Sequence, residues 1–119
     1  MCVPSTSTTY HLLNAERIAS LKPDAIIINA GRGNAIESQA LADALAEGRI
    51  HGAALDVTEP EPLPDNSPLW CEPKCLITPH VAGGNHLEIT ERSIISIALG
   101  NVRCYANGQS LDNRMPIKS

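Results

Sequence analysis

Three ionisable residues stand just past apolar runs in this 119-residue chain. Arg32 sits between Gly31 and Gly33 after Ile26-Ile27-Ile28-Asn29-Ala30. Glu61 sits between Pro60 and Pro62 after Leu55-Asp56-Val57, and His80 follows Leu76-Ile77-Thr78-Pro79. A guanidinium offers a planar fork of donors to a carboxylate or carbonyl, and an imidazole can give and take a proton near neutrality. A carboxylate beside that imidazole would orient it and favour its charged form. An anion binder, an acid and a histidine at successive strand ends is how an α/β enzyme assembles a site from the carboxyl edge of its sheet. Plainer readings stand beside each. Arg32 could cap a strand end or pair with a nearby acid, and Asp56 could simply form a turn. A histidine after proline is commonly structural or exposed, and Glu59 competes with Glu61 on the same extended face.

The intervening sequence predicts elements that could carry these residues. Residues 3–10, rich in Ser and Thr, read as a loop leaving a strand. Asn14 is a helix cap for residues 15–21, with Pro23 as the stop. The unbroken apolar run 25–29 suits a parallel strand covered on both faces. Residues 38–47 read as a helix with Leu41 and Leu45 one turn apart and Gly48 beyond its end. Strands are expected over 52–57 and 75–78, separated by a stiff loop with prolines at 60, 62, 64 and 68. Residues 86–106 carry Ile94, Ala98, Val102 and Tyr105 at helical spacing and end at Asn107-Gly108. Alternating helices and strands indicate a parallel sheet with right-handed crossovers.

Composition narrows the class. Hydrophobic residues make up 43% and charged residues 18%, which fits one globular domain with a real core. With no Phe, that core must be Ile, Leu, Val and Ala. A net charge of −4 argues against nucleic acid or an anionic membrane as partner. The start, Met1-Cys2-Val3-Pro4, lacks the charge and apolar stretch of a signal peptide, so a cytoplasmic setting is expected. Cys71 and Cys75 lack the second pair or nearby histidine that a zinc site needs, and no metal is expected. A doubly wound nucleotide-binding sheet should also carry a glycine-rich turn holding a pyrophosphate. Gly31-Arg32-Gly33 has too few glycines and Gly83-Gly84 the wrong spacing, so the chain reads as one half of such a domain.

At these residues a family resemblance becomes specific. The chain resembles the NAD-dependent D-isomer-specific 2-hydroxyacid dehydrogenases from about Val3 to Asn113. The run from Leu21 to Gly33 is similar to the family's long signature, with Glu37 where that signature ends in an acid; Ala35 is smaller than the branched residue expected there. Gly52-Ala53-Ala54-Leu55-Asp56-Val57, Pro60-Glu61-Pro62, Ser67-Pro68-Leu69-Trp70 and Thr78-Pro79-His80 match in order and spacing. In the family the glycine-rich loop, the ribose-reading acid and most of the substrate domain precede this region. The resemblance thus implies roughly the C-terminal third of an enzyme, a truncated or fragmentary chain.

It implies an α/β fold, the C-terminal half of a doubly wound Rossmann-type parallel sheet with a long C-terminal helix. Residues 1–108 would be the second half of an NAD(P)-binding domain, and 109–119 a tail returning toward a substrate domain. Reduction of a 2-keto acid by hydride would use Arg32 to hold carboxylate and ketone and His80 to protonate the alkoxide, with Glu61 orienting His80. Glu59 would then be solvated. The cofactor would be NAD or NADP, with NAD favoured. It would be lined by Val3, Pro4, Ala30, Gly31, Arg32, His80, Val81, Ala82 and Gly83, and Asp56 would contact the nicotinamide carboxamide. Trp70 is expected as a packing anchor, and His11, His51 and His86 as structural or exposed. A small 2-keto or 2-hydroxy acid substrate and a homodimer of the full-length enzyme are implied. Without pyrophosphate contacts the isolated chain is expected to be inactive. Two alternatives are an NAD(H)-regulated binding module like the transcriptional corepressors that resemble this family, and a non-functional remnant whose first strand presents an unpaired edge.

Overall fold

The computed structural model describes residues 1–84 and 87–114. The start of the last expected helix, with His86, and the end of the tail lie outside the described residues. The chain forms two compact units, Met1–Ala82 and Gly83–Ser119.

The first unit contains α1 (Ala15–Ala19), β1 (Ile26–Asn29), α2 (Ser38–Ala46), β2 (Gly52–Leu55) and β3 (Cys75–Ile77). The strands form one parallel sheet in the order β1-β2-β3. Asn29 pairs with Leu55 and Leu55 with Ile77, so all three strands end level. The expected ends, at 57 and 78, overshoot. The main chain makes one more bond past β1 and β2, from Asp56 N–H to Asn29 and from Thr78 N–H to Leu55, before side chains take over. Met1 N–H donates to Ile28 and Met1 accepts from Ala30, the pattern of a parallel neighbour. The edge of β1 expected to be bare is therefore partly occupied, and residues 3–10 do leave a strand-like position.

Asn14 caps α1 as expected, accepting from Arg17 N–H at 3.0 Å. The helix stops at Ala19 rather than 21 because Ser20 folds its N–H back onto the last turn. Helix α2 buries Ala40, Leu41, Ala44 and Leu45 against Ile18, Ile27, Ile36, Ile50, Ala53, Leu55 and Leu69. This is the aliphatic core that a Phe-free sequence requires. Among the described residues of the first unit only one face of the sheet is covered, where the reading of 25–29 expected two. Ile26, Ile28 and Leu76 remain 60%, 59% and 64% exposed on the other face.

The second unit contains α3 (Glu88–Ala106), in which no residue is buried. Asn101 donates to the Asp112 carbonyl and accepts from the Asp112 N–H, returning the first part of the tail onto this helix. Among the described residues no helix is long and apolar enough to cross a membrane.

Candidate active site at the carboxyl edge of the sheet

Each strand of the first unit delivers one polar group to the same edge. At the end of β1, Asn29 is buried and brackets the turn that follows. Its Oδ1 accepts from Gly31 N–H at 3.1 Å and its Nδ2 donates to the Arg32 carbonyl at 3.0 Å. Gly31 is required by close approach, since a Cβ there would meet the Val3 nitrogen at 2.9 Å. The bracket leaves Arg32 exposed on extended backbone, its Nη1 donating to the Gly31 carbonyl at 2.8 Å.

At the end of β2, Asp56 is nearly buried and accepts three hydrogen bonds. Oδ1 accepts from Thr78 Oγ1 at 2.5 Å and from Val81 N–H at 2.9 Å, and Oδ2 from Ala82 N–H at 2.8 Å. These bonds, Thr78 first and then Val81, hold its carboxyl below the ordinary 3.8 despite the opposing effect of burial. All three partners lie 22 to 26 residues along the chain, so Asp56 ties two segments together rather than forming a local turn. The amides of Val81 and Ala82 are likewise committed to Asp56 rather than open to a ligand.

The proline-rich loop then brings Glu61 to His80, whose Nδ1 donates to Glu61 Oε1 at 2.5 Å. A carboxylate offers no proton, so Nδ1 carries the hydrogen and Nε2 is left for another partner. His80 itself has φ +52, a left-handed conformation uncommon outside glycine and typical of functional turns. Both side chains are partly exposed beside a cavity of about 270 Å³, lined also by Asp56, Thr58, Trp70 and Thr78. Trp70 is half exposed, its indole N–H donating to the Pro64 carbonyl at 2.9 Å, while neighbouring Leu69 is the buried anchor. A smaller opening of about 100 Å³ at the strand ends is lined by Asn29, Ala30, Ala54, Asp56 and Thr78.

Arg32 makes no hydrogen bond to Glu61 or His80 among the described residues. The Val3 backbone stands against Gly31, the Pro4 carbonyl accepts from Thr9 Oγ1, and Gly83 opens the second unit. Glu59 is not merely solvated, because His11 Nε2 donates to its Oε2 at 2.8 Å. His51 is exposed as expected. Asn29 and Thr78 were not singled out by the sequence. A polar residue ending a buried apolar run was the available signal, since such a group must find partners.

The first unit coincides with a known family model. Residues 1–82 match the D-isomer specific 2-hydroxyacid dehydrogenase, NAD binding domain. Glyoxylate/hydroxypyruvate reductase B of Escherichia fergusonii is 46% identical over 86 residues, covering 72% of this chain and 26% of that protein. A D-isomer specific 2-hydroxyacid dehydrogenase of Xanthobacter autotrophicus Py2, solved with NADPH and MES, superposes with TM-score 0.85 at 38% identity, covering 97% of this chain and 46% of that one. An NADPH-dependent glyoxylate/hydroxypyruvate reductase of Sinorhizobium meliloti, solved with NADP and sulfate, gives TM-score 0.80 at 30% identity over 93% of this chain and 35% of that one. The chain spans between 26% and 38% of the length of the curated relatives it matches.

Proposed function

This chain belongs to the D-isomer specific 2-hydroxyacid dehydrogenase family, and from that membership we propose that it carries the substrate-anchoring and proton-transfer end of an NAD(P)-dependent reductase. The substrate is a small 2-keto acid of the glyoxylate or hydroxypyruvate kind, the one the named relatives act on. The observation that carries this reading is the Glu61–His80 hydrogen bond at the carboxyl edge of the sheet.

In this reading Arg32 is the anchor, because its guanidinium is exposed and only Nη1 is engaged, with the Gly31 carbonyl. Its remaining donors grip the substrate carboxylate and polarise the adjacent ketone. Glu61 fixes the His80 ring through Nδ1–H and favours the charged ring, whose second proton, on Nε2, passes to the oxygen as the carbonyl becomes an alcohol. A bound nicotinamide dinucleotide supplies the hydride. Val3, Pro4, Ala30, Gly31 and Asp56 are the residues we assign to hold it, with Val81, Ala82 and Gly83 lining it by carbonyls or side chains. The dinucleotides in the two solved relatives are phosphorylated, which weighs toward NADP(H) over the NAD first expected. Residues 1–108 we assign to the cofactor-binding domain and 109–119 to a tail reaching toward a substrate domain, in an enzyme that dimerises. The 119 residues contain no glycine-rich phosphate turn, so on their own they should not turn over substrate.

The test replaces the matching segment of an NADPH-dependent glyoxylate/hydroxypyruvate reductase with residues 1–82. Turnover of glyoxylate or hydroxypyruvate should persist, and His80→Ala should lower kcat about 10²–10⁴-fold. A folded chimera that is inactive, or one whose kcat ignores His80→Ala, overturns the reading.

A further inference from the structure

A second histidine–carboxylate pair stands on the loop that carries Glu61. His11 Nε2 donates to Glu59 Oε2 at 2.8 Å, and its ring stacks on Tyr10 with centroids 4.0 Å apart. The Glu59 carbonyl accepts from Ser38 Oγ at 2.6 Å. Residue 59 is thus held at both side chain and main chain by segments outside the loop. One residue earlier, Thr58 lies against Gly33 so closely that a Cβ on Gly33 would fall 1.8 Å from the Thr58 oxygen. His11 N–H also donates to the Asn34 carbonyl at 2.8 Å. Glu59 is therefore clamped to the turn that follows Arg32, two residues before Glu61 engages His80.

We propose that His11 and Glu59 are positioning residues for the reaction, fixing the loop so that Glu61 meets His80 Nδ1 in register with Arg32. The catalytic meaning of this rests on the role proposed above for Glu61 and His80, whereas the geometric claim concerns the pair alone. The lever is short, since only Pro60 separates Glu59 from Glu61. The Glu61–His80 contact at 2.5 Å also tolerates little slack, because a slip of about 1 Å takes it past hydrogen-bonding range.

The two pairs have opposite signatures. The nitrogen facing a carboxylate must carry a proton, so in the neutral ring His11 is the Nε2–H tautomer and His80 the Nδ1–H tautomer. The Nε2 proton of His80 belongs to its charged form. Long-range proton–nitrogen spectra of the ¹⁵N-labelled full chain separate its four histidines. In the wild type, His80 should show an Nδ1–H proton at low field. Glu59→Ala and His11→Ala should each weaken that signal and mix the His80 tautomers, while the amide shifts of β1, β2 and β3 stay in place. Glu59→Gln, whose carbonyl still accepts from His11, should restore it. In the chimera, Glu59→Ala should lower kcat about tenfold and leave KM for the keto acid unchanged. An unaltered His80 signal in Glu59→Ala, alongside a changed one in Glu61→Ala, overturns the positioning role. A His80 signal indifferent to Glu61→Ala as well overturns the Glu61–His80 reading itself. Should Glu59→Ala fail to fold, His11→Asn decides, because it leaves the loop sequence intact; a wild-type His80 signal there also overturns the proposal.

Discussion

Asp56 organises the carboxyl edge, because one carboxylate draws together Thr78 and the amides of Val81 and Ala82 around His80. Its folded-state pKa lies below the ordinary 3.8. Above that value the charge is present in both folded and unfolded chains, and the three bonds contribute fully. As pH falls below it the unfolded chain takes up the proton first, and the contribution vanishes once pH drops through the folded value. Urea midpoints measured from pH 6 downward should therefore fall more steeply in the wild type than in Asp56→Asn, with the difference confined to the region from about pH 4 downward. Parallel curves would show that Asp56 does not couple folding to protonation. The positions of Arg32, Glu61 and His80 at the carboxyl edge were legible because glycines or prolines mark each one after an apolar run. Thr78 was not, since its partner lies 22 residues away. Glu59 was misread for the same reason, its partner His11 being 48 residues distant.

At the scale of elements, two glycines should respond to alanine with opposite signs. Gly33 rests on the Thr58 backbone, where a Cβ would fall 1.8 Å from oxygen and 2.2 Å from carbon. Backbone cannot swing aside as a side-chain tip can. Gly33→Ala must push apart the turn after β1 and the loop after β2, costing about 1–3 kcal/mol or more. Gly100 lies within α3 with nothing in reach of a Cβ. Gly100→Ala should stabilise that helix by about 0.8–1 kcal/mol, read as higher helicity and a later melt by circular dichroism. A destabilising Gly100→Ala would mean that the position is reserved for a close neighbour. The order and type of the regular elements followed from periodicity, but their ends did not. Helix α1 closes on Ser20 and β2 yields to Asp56, which are capping and side-chain events without periodic trace. The short turns Gly33–Ala35 and Pro68–Trp70 were missed because three residues are too few to show a period.

Across the whole molecule, the unbroken hydrophobicity of β1 was misjudged in one respect. It reports what a strand is suited to meet, and within the first unit only the α2 side of that environment is supplied. Ile26, Ile28 and Leu76 form an apolar patch about 60% exposed, the kind of surface that drives association when left uncovered. Because these side chains bury little in the chain itself, replacing them should cost little of its stability. Ile26→Thr with Leu76→Thr keeps the β-preference of position 26 and gives position 76 a branched side chain. The pair should reduce concentration-dependent self-association in sedimentation velocity while shifting unfolding by no more than about 0.5 kcal/mol per site. The sheet is not the only apolar surface on offer, since Ile94, Val102 and Tyr105 of α3 are also exposed. Association unchanged by the double substitution would move the sticky surface from the sheet to that helix. Association lost together with a large drop in stability would show instead that the patch is buried in the folded chain.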